Sequence, residues 1–154
     1  MRPRAGEPAP DFQGTTASGE SLGLADFRGR KLVLYFYPMD FTPGCTAQAC
    51  SLRDHGGEIR AKGAAVVGVS TQDAGSHTRF AQMHRLDFPL LADRDRKIAR
   101  AYGAVAGGGL FPSMSALMGV AERVTFVIDE QGVIAHVIDS PSCPNHGQEV
   151  LRLL

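Results

Sequence analysis

The sequence predicts an α/β protein, a mixed β-sheet sandwiched between helices. Two continuous apolar runs, KLVLYFY (Lys31–Tyr37) and AAVVGVS (Ala64–Ser70), point to strands buried on both faces. Segments with helical spacing follow each of them. Further on, RVTFVIDEQGVIAHVID holds two β-branched runs joined by Asp129-Glu130-Gln131-Gly132, a hairpin signature.

Taken in order, the first strand ends at Pro38. CTAQACSLRDHGGEIRAKG carries helical spacing and stops at Gly63, with Gly56-Gly57 as the point of bending or interruption. Ala64–Ser70 is the second strand. Asp73 offers an N-cap for a helix through about Arg85, FPLLAD is a short third strand, and RDRKIARAYG a short helix ending at Gly103. The hairpin follows an uncharged stretch, and HGQEVLRLL closes the chain as a helix. Residues 1–154 are expected to form a single domain, long enough to bury a core.

Composition narrows the function. Hydrophobic residues make up 44% and charged residues 21%, an ordinary globular balance. Lys+Arg and Asp+Glu are equal at 16 each, so neither nucleic acid nor an anionic membrane is expected as partner. Three cysteines are too few for a secreted disulfide scaffold. MRPRAGEPAPDFQG contains no apolar run, so no secretory leader is expected. Ala101–Ala121 lacks charge, but five glycines and Pro112 would break a membrane-spanning helix. A cytoplasmic location is expected.

The chemistry concentrates in FYPMDFTPGCTAQAC (Phe36–Cys50). The first strand delivers its carboxyl end to Pro38–Cys45, where open α/β sheets place their sites. A disulfide staple, a metal site and a redox centre are all conceivable for the two cysteines. Cys45 opens a helix, facing unpaired N–H groups and the positive end of the dipole, and such placement brings thiol pKa values from about 8.5 into the range of roughly 3.5–7.5. Thr42, Pro43 and Gly44 supply a hydroxyl, a fixed backbone and a sharp turn. The competing reading is an inert buried cysteine.

Cys45 and Cys50 on one helix would have Cα atoms about 8.7 Å apart, beyond the roughly 6.8 Å that a disulfide spans. The pair therefore reads as thiols that meet only after oxidation and local unwinding, Cys45 reacting and Cys50 resolving. The spacing is not the C-x-x-C of a thioredoxin-like dithiol. Cys45, Cys50, Cys143 and His146 offer zinc-binding atoms, yet in no common zinc spacing, and no metal is expected.

These residues resemble the peroxiredoxin family, in particular its Q-type or bacterioferritin-comigratory-protein branch. Pro38, Thr42 and Cys45 match the P-x-x-x-T/S-x-x-C motif, and Cys50 falls where many Q-type members carry a resolving cysteine. GEPAPDF, LADFRGRK and ERVTFVIDEQG fit as well, the last placing Arg123 where the family's arginine reaches back to the active site. The resemblance spans nearly the whole chain. It implies a thioredoxin-like fold, a central mixed β-sheet flanked by helices with an N-terminal β-hairpin extension. It also implies reduction of hydrogen peroxide and organic hydroperoxides. Cys45 becomes a sulfenic acid, Cys50 condenses with it, and a thioredoxin-like protein reduces the disulfide. Arg123, Thr42 and helix-start N–H groups would stabilise the departing oxygen, and no cofactor is needed. An internal disulfide favours a monomer, with a dimer as the alternative.

Two departures stand out: Met39 replaces a frequent lysine, and Gln48 a frequent glutamate. In Ala101–Ala121, Leu110, Phe111, Leu117 and Met118 read equally as core cover or as an apolar rim beside Cys45. Cys143, in a proline-flanked loop, is open to three readings: second resolving cysteine, intermolecular link, or surface spectator, the last favoured. His55, His77 and His84 read as solvated, and His136 as packed or water-facing. Two other functional classes compete: a general thiol-disulfide oxidoreductase, and a redox-sensing or holdase-like binding protein on the same fold.

Overall fold

The computed structural model describes residues 2–105 and 119–154. Leu110, Phe111, Leu117 and Met118 lie outside the described residues. A short N-terminal hairpin, β1 (Gln13–Thr15) and β2 (Ser21–Gly23), precedes a five-stranded sheet. That sheet comprises β3 (Lys31–Phe36), β4 (Ala64–Ser70), β5 (Leu90–Ala92), β6 (Val124–Ile128) and β7 (Ile134–Ile138), in the order β5-β4-β3-β6-β7. β3, β4 and β5 pair parallel, whereas β6 pairs antiparallel with both β3 and β7, so the sheet is mixed as expected.

Pleating divides the central strand between two cores. Leu32, Leu34 and Phe36 pack on one face with Phe12, Tyr102 and Phe126. Val33, Tyr35 and Tyr37 pack on the other with Cys45, Leu52, Ile59, Phe80 and Val150. Each fully buried large apolar side chain stabilises the fold by roughly 1.5–3 kcal/mol. The Cys45 face is covered by α1 (Pro43–Asp54), α2 (Gly56–Ala61), α3 (Ala74–His84) and α5 (His146–Leu153), while α4 (Lys97–Ala101) lies against the other.

The helical boundaries are sharper than the sequence pattern. α1 begins at Pro43, two residues before Cys45, and the long helical segment divides at His55, just before the glycine pair. Asp73 caps α3 by accepting the Ser76 N–H at 2.7 Å, whereas Arg85 takes the left-handed closing position usually held by glycine. α4 is shorter than RDRKIARAYG suggests, because the buried Asp93 carboxylate accepts the N–H groups of Ile98 and Ala99 and fixes its start there. Among the described residues, no helix is long and apolar enough to cross a membrane.

Candidate active site

β3 passes directly into the site. Tyr37 and Pro38 leave the sheet, Thr42 takes the N-cap position of α1, and Pro43 is its first helical residue, a place where a missing N–H costs nothing. Cys45 follows in the first turn and is 1% exposed. The N–H groups of Gly44 and Cys45 have no partner within the helix. The Thr42 carbonyl accepts the Thr46 N–H at 2.9 Å, while its hydroxyl donates to the Met39 carbonyl at 2.9 Å. The Pro38 carbonyl accepts from Ser70.

A buried polar cluster holds this loop. Asp40 accepts from Tyr37 Oη at 2.7 Å and from Ser76 Oγ at 2.7 Å, and lies 2.7 Å from His77 Nδ1. Its own N–H donates to Gln72 at 2.6 Å, and His77 Nε2 donates to the Leu91 carbonyl at 3.0 Å. Burial alone would push the Asp40 carboxyl up, but bonds from His77, Tyr37 and Ser76 outweigh it and hold the carboxyl below its ordinary value. Phe41 pays for the sharp approach with a φ of 68°, its ring set edge-on to Phe80 at 5.3 Å.

Arg123 reaches the thiol because of sheet register. β6 pairs antiparallel with β3, matching Val124 to Phe36, so Arg123 emerges beside the carboxyl end of β3. Its Nη2 donates to Cys45 Sγ at 3.3 Å and its Nη1 to Gln48 Oε1 at 2.6 Å. Gln48, one turn after Cys45 and fully buried, thus orients the guanidinium without adding a competing negative charge. A cation lies against the sulfur at the start of a helix, an arrangement suited to a thiolate and to negative charge developing on a bound oxygen.

The other cysteines lie to either side. Cys50 is on unbroken α1, partly exposed, with Sγ 3.9 Å from His84 Nδ1. All three cysteines are free thiols. Cys143 occupies a 3-10 turn (Cys143–Asn145) before α5, and a Cβ placed on Gly44 would lie 3.7 Å from its sulfur.

Comparison with known proteins fits this geometry. A family model described as the AhpC/TSA family matches residues 5–137. Peroxiredoxin Bcp of Escherichia coli (strain K12) is 40% identical over 151 residues, covering 98% of this chain and 95% of its own. The chain belongs to the AhpC/TSA family and is a peroxiredoxin of the Bcp/Q branch. Chloroplastic peroxiredoxin Q of Populus jackii is 39% identical over 150 residues, 97% of this peroxiredoxin and 67% of its own length. The crystal structure of peroxidoxin BcpB from Mycobacterium tuberculosis superposes with a TM-score of 0.84 at 33% identity, covering 97% of this chain and 95% of its own. The fold is therefore thioredoxin-like, and the protein is a thiol-dependent peroxidase.

Of the residues picked out in the sequence, the peroxiredoxin brings Pro38, Thr42, Cys45 and Arg123 to one end of the sheet, with Cys50 further along α1. The histidine expectations need correction. His77 is fully buried against Asp40, and His55 and His84 are partly buried. The signal was present: His77, Phe80 and His84 share one face of α3 at helical spacing. His136 faces water. His146, read only as a paper zinc ligand, is fully buried between Thr125 and Glu149.

Proposed function

We propose that Cys45 is the peroxidatic cysteine and Cys50 its resolving partner, acting on hydrogen peroxide and organic hydroperoxides. The observation that carries this reading is the 3.3 Å contact from Arg123 Nη2 to Cys45 Sγ at the first turn of α1. The Cys45 sulfur attacks the terminal peroxide oxygen in line, the O–O bond breaks, and the departing oxygen leaves as water or an alcohol after taking a proton. Arg123, the N–H groups of Gly44 and Cys45, and the Thr42 hydroxyl, turned from Met39, stabilise the charge moving onto that oxygen. Support for alkyl hydroperoxides comes from a Xanthomonas campestris bacterioferritin comigratory protein described for its alkyl peroxide reduction activity, 26% identical with a TM-score of 0.85.

Cys50 then attacks the Cys45 sulfenic acid once the middle of α1 unwinds, releasing water and forming a disulfide. A thioredoxin-like dithiol reduces that bond by exchange. The 154 residues act as one domain and, with both thiols in one chain, as a monomer in the cytoplasm. Steady-state turnover with a thioredoxin system tests the scheme: Cys45→Ser abolishes activity and Cys50→Ser lowers it. Full activity in the Cys45→Ser variant contradicts it.

A further inference from the structure

The turn carrying Cys143 is held beside α1 by contacts the peroxidase scheme does not use. Glu149 Oε1 accepts the Ser142 N–H at 2.8 Å and lies 3.0 Å from His146 Nδ1. His146 Nε2 meets Thr125 Oγ1 at 2.8 Å, tying the turn to β6 two residues beyond Arg123. Gly147 completes the docking. Its N–H donates to Ser51 Oγ at 2.8 Å, and a Cβ there would collide with the Ser51 carbonyl oxygen and the His55 ring.

This docking sets three groups around Gly44. A Cβ on that residue would lie 3.2 Å from Arg123 Nη2 and 3.7 Å from Cys143 Sγ, and the same Nη2 is 3.3 Å from Cys45 Sγ. With hydrogen at Gly44, that residue itself puts no side chain between the turn and the thiol site. Cys143 is partly exposed and lies in a short turn between Pro141 and Pro144, outside α1. Cys50, by contrast, is carried by α1 itself.

We propose that Cys143 is a second resolving thiol, condensing with the Cys45 sulfenic acid within the same chain. The inference rests on Cys45 being peroxidatic. The Cys143 sulfur attacks the Cys45 sulfur, an S–S bond forms and the S–O bond breaks. The hydroxyl leaves with the thiol proton as water, and the disulfide is opened by the same dithiol reductant. The Cys143 route moves the turn and leaves α1 wound, whereas the Cys50 route unwinds it. Oxidative equivalents are therefore cleared even when α1 is held closed.

The test treats Cys50→Ser with one equivalent of hydrogen peroxide, then traps sulfenic acid, alkylates remaining thiols and maps disulfides by mass. The expected product is a monomer with a Cys45–Cys143 bond, replaced by trapped Cys45 sulfenic acid in Cys50→Ser/Cys143→Ser. A persistent Cys45 sulfenic acid with Cys143 alkylated overturns the proposal and leaves the peroxidatic assignment standing. A disulfide joining two chains through Cys143 overturns it as well. Cys45 remaining reduced overturns both readings together.

Discussion

Asp40 and His77 meet at 2.7 Å, both buried, and between them anchor the loop that delivers Cys45 to the start of α1. Tyr37, Ser76 and the Leu91 carbonyl complete the cluster, so no member can be removed without stranding another. Asp40→Asn should cost about 3 kcal/mol, the order found when a buried pair loses one partner. Urea unfolding measures this, and an unchanged midpoint would refute the anchoring role.

Arg123 carries the only positive charge seen donating to Cys45 among the described residues. Arg123→Met should slow peroxide-driven oxidation of Cys45 by roughly 100–1,000-fold, as for loss of one transition-state donor. Arg123→Lys should recover only part, since an ammonium cannot replace the planar fork that spans Cys45 and Gln48. Competition kinetics against a second peroxide scavenger gives the rates.

Gly44→Ala separates activity from stability. Alanine is favoured over glycine in a helix by up to about 1 kcal/mol, but the new Cβ would press on Arg123 Nη2 at 3.2 Å. The expected outcome is equal or higher thermal stability with several-fold slower peroxide reduction, read from paired melting and kinetic measurements.

Gly68→Ala probes the sheet beneath the site. Its Cβ would sit 2.7 Å from Leu90 Cδ2 and 2.9 Å from Tyr35 Cε1, both in the core. Overpacking of this kind costs about 1–3 kcal/mol, and a matching fall in unfolding free energy is expected.

His146 gives a pH dependence of stability. Burial pushes its pKa below the ordinary 6.5, outweighing the Glu149 contact, with Arg123 lowering it further. The unfolded chain therefore binds a proton first as pH falls, so stability is full above about 6.5 and declines below it until native His146 also protonates. His146→Gln, which does not titrate, should flatten the profile in that window. An unchanged slope in urea unfolding at successive pH values would count against the buried neutral imidazole.

How legible was all this in the sequence? Local features were: the doubly buried β3, the Asp129–Gly132 hairpin and the Asp73 cap each follow from residues within one element. Pro38, Thr42 and Cys45 are readable for the same reason. Arg123 came from family resemblance, because its approach to Cys45 depends on the β3–β6 register. His77 was misread because Ser76, Thr78 and Arg79 make its surroundings polar, although the face of α3 it shares with Phe80 is buried against Tyr37. The position of Cys143 beside Gly44 was not legible, since it depends on the close docking of Gly147 on α1.

The central claim is that Cys45, held by Arg123 at the start of α1, is the thiol that meets peroxide. Its most direct test is site-resolved mass analysis of Cys50→Ser/Cys143→Ser, quenched with a sulfenic-acid trap within seconds of one equivalent of hydrogen peroxide. The account predicts the trapped adduct on Cys45, and its loss when Arg123→Met is added. A Cys45 that remains a free thiol while peroxide persists would contradict it.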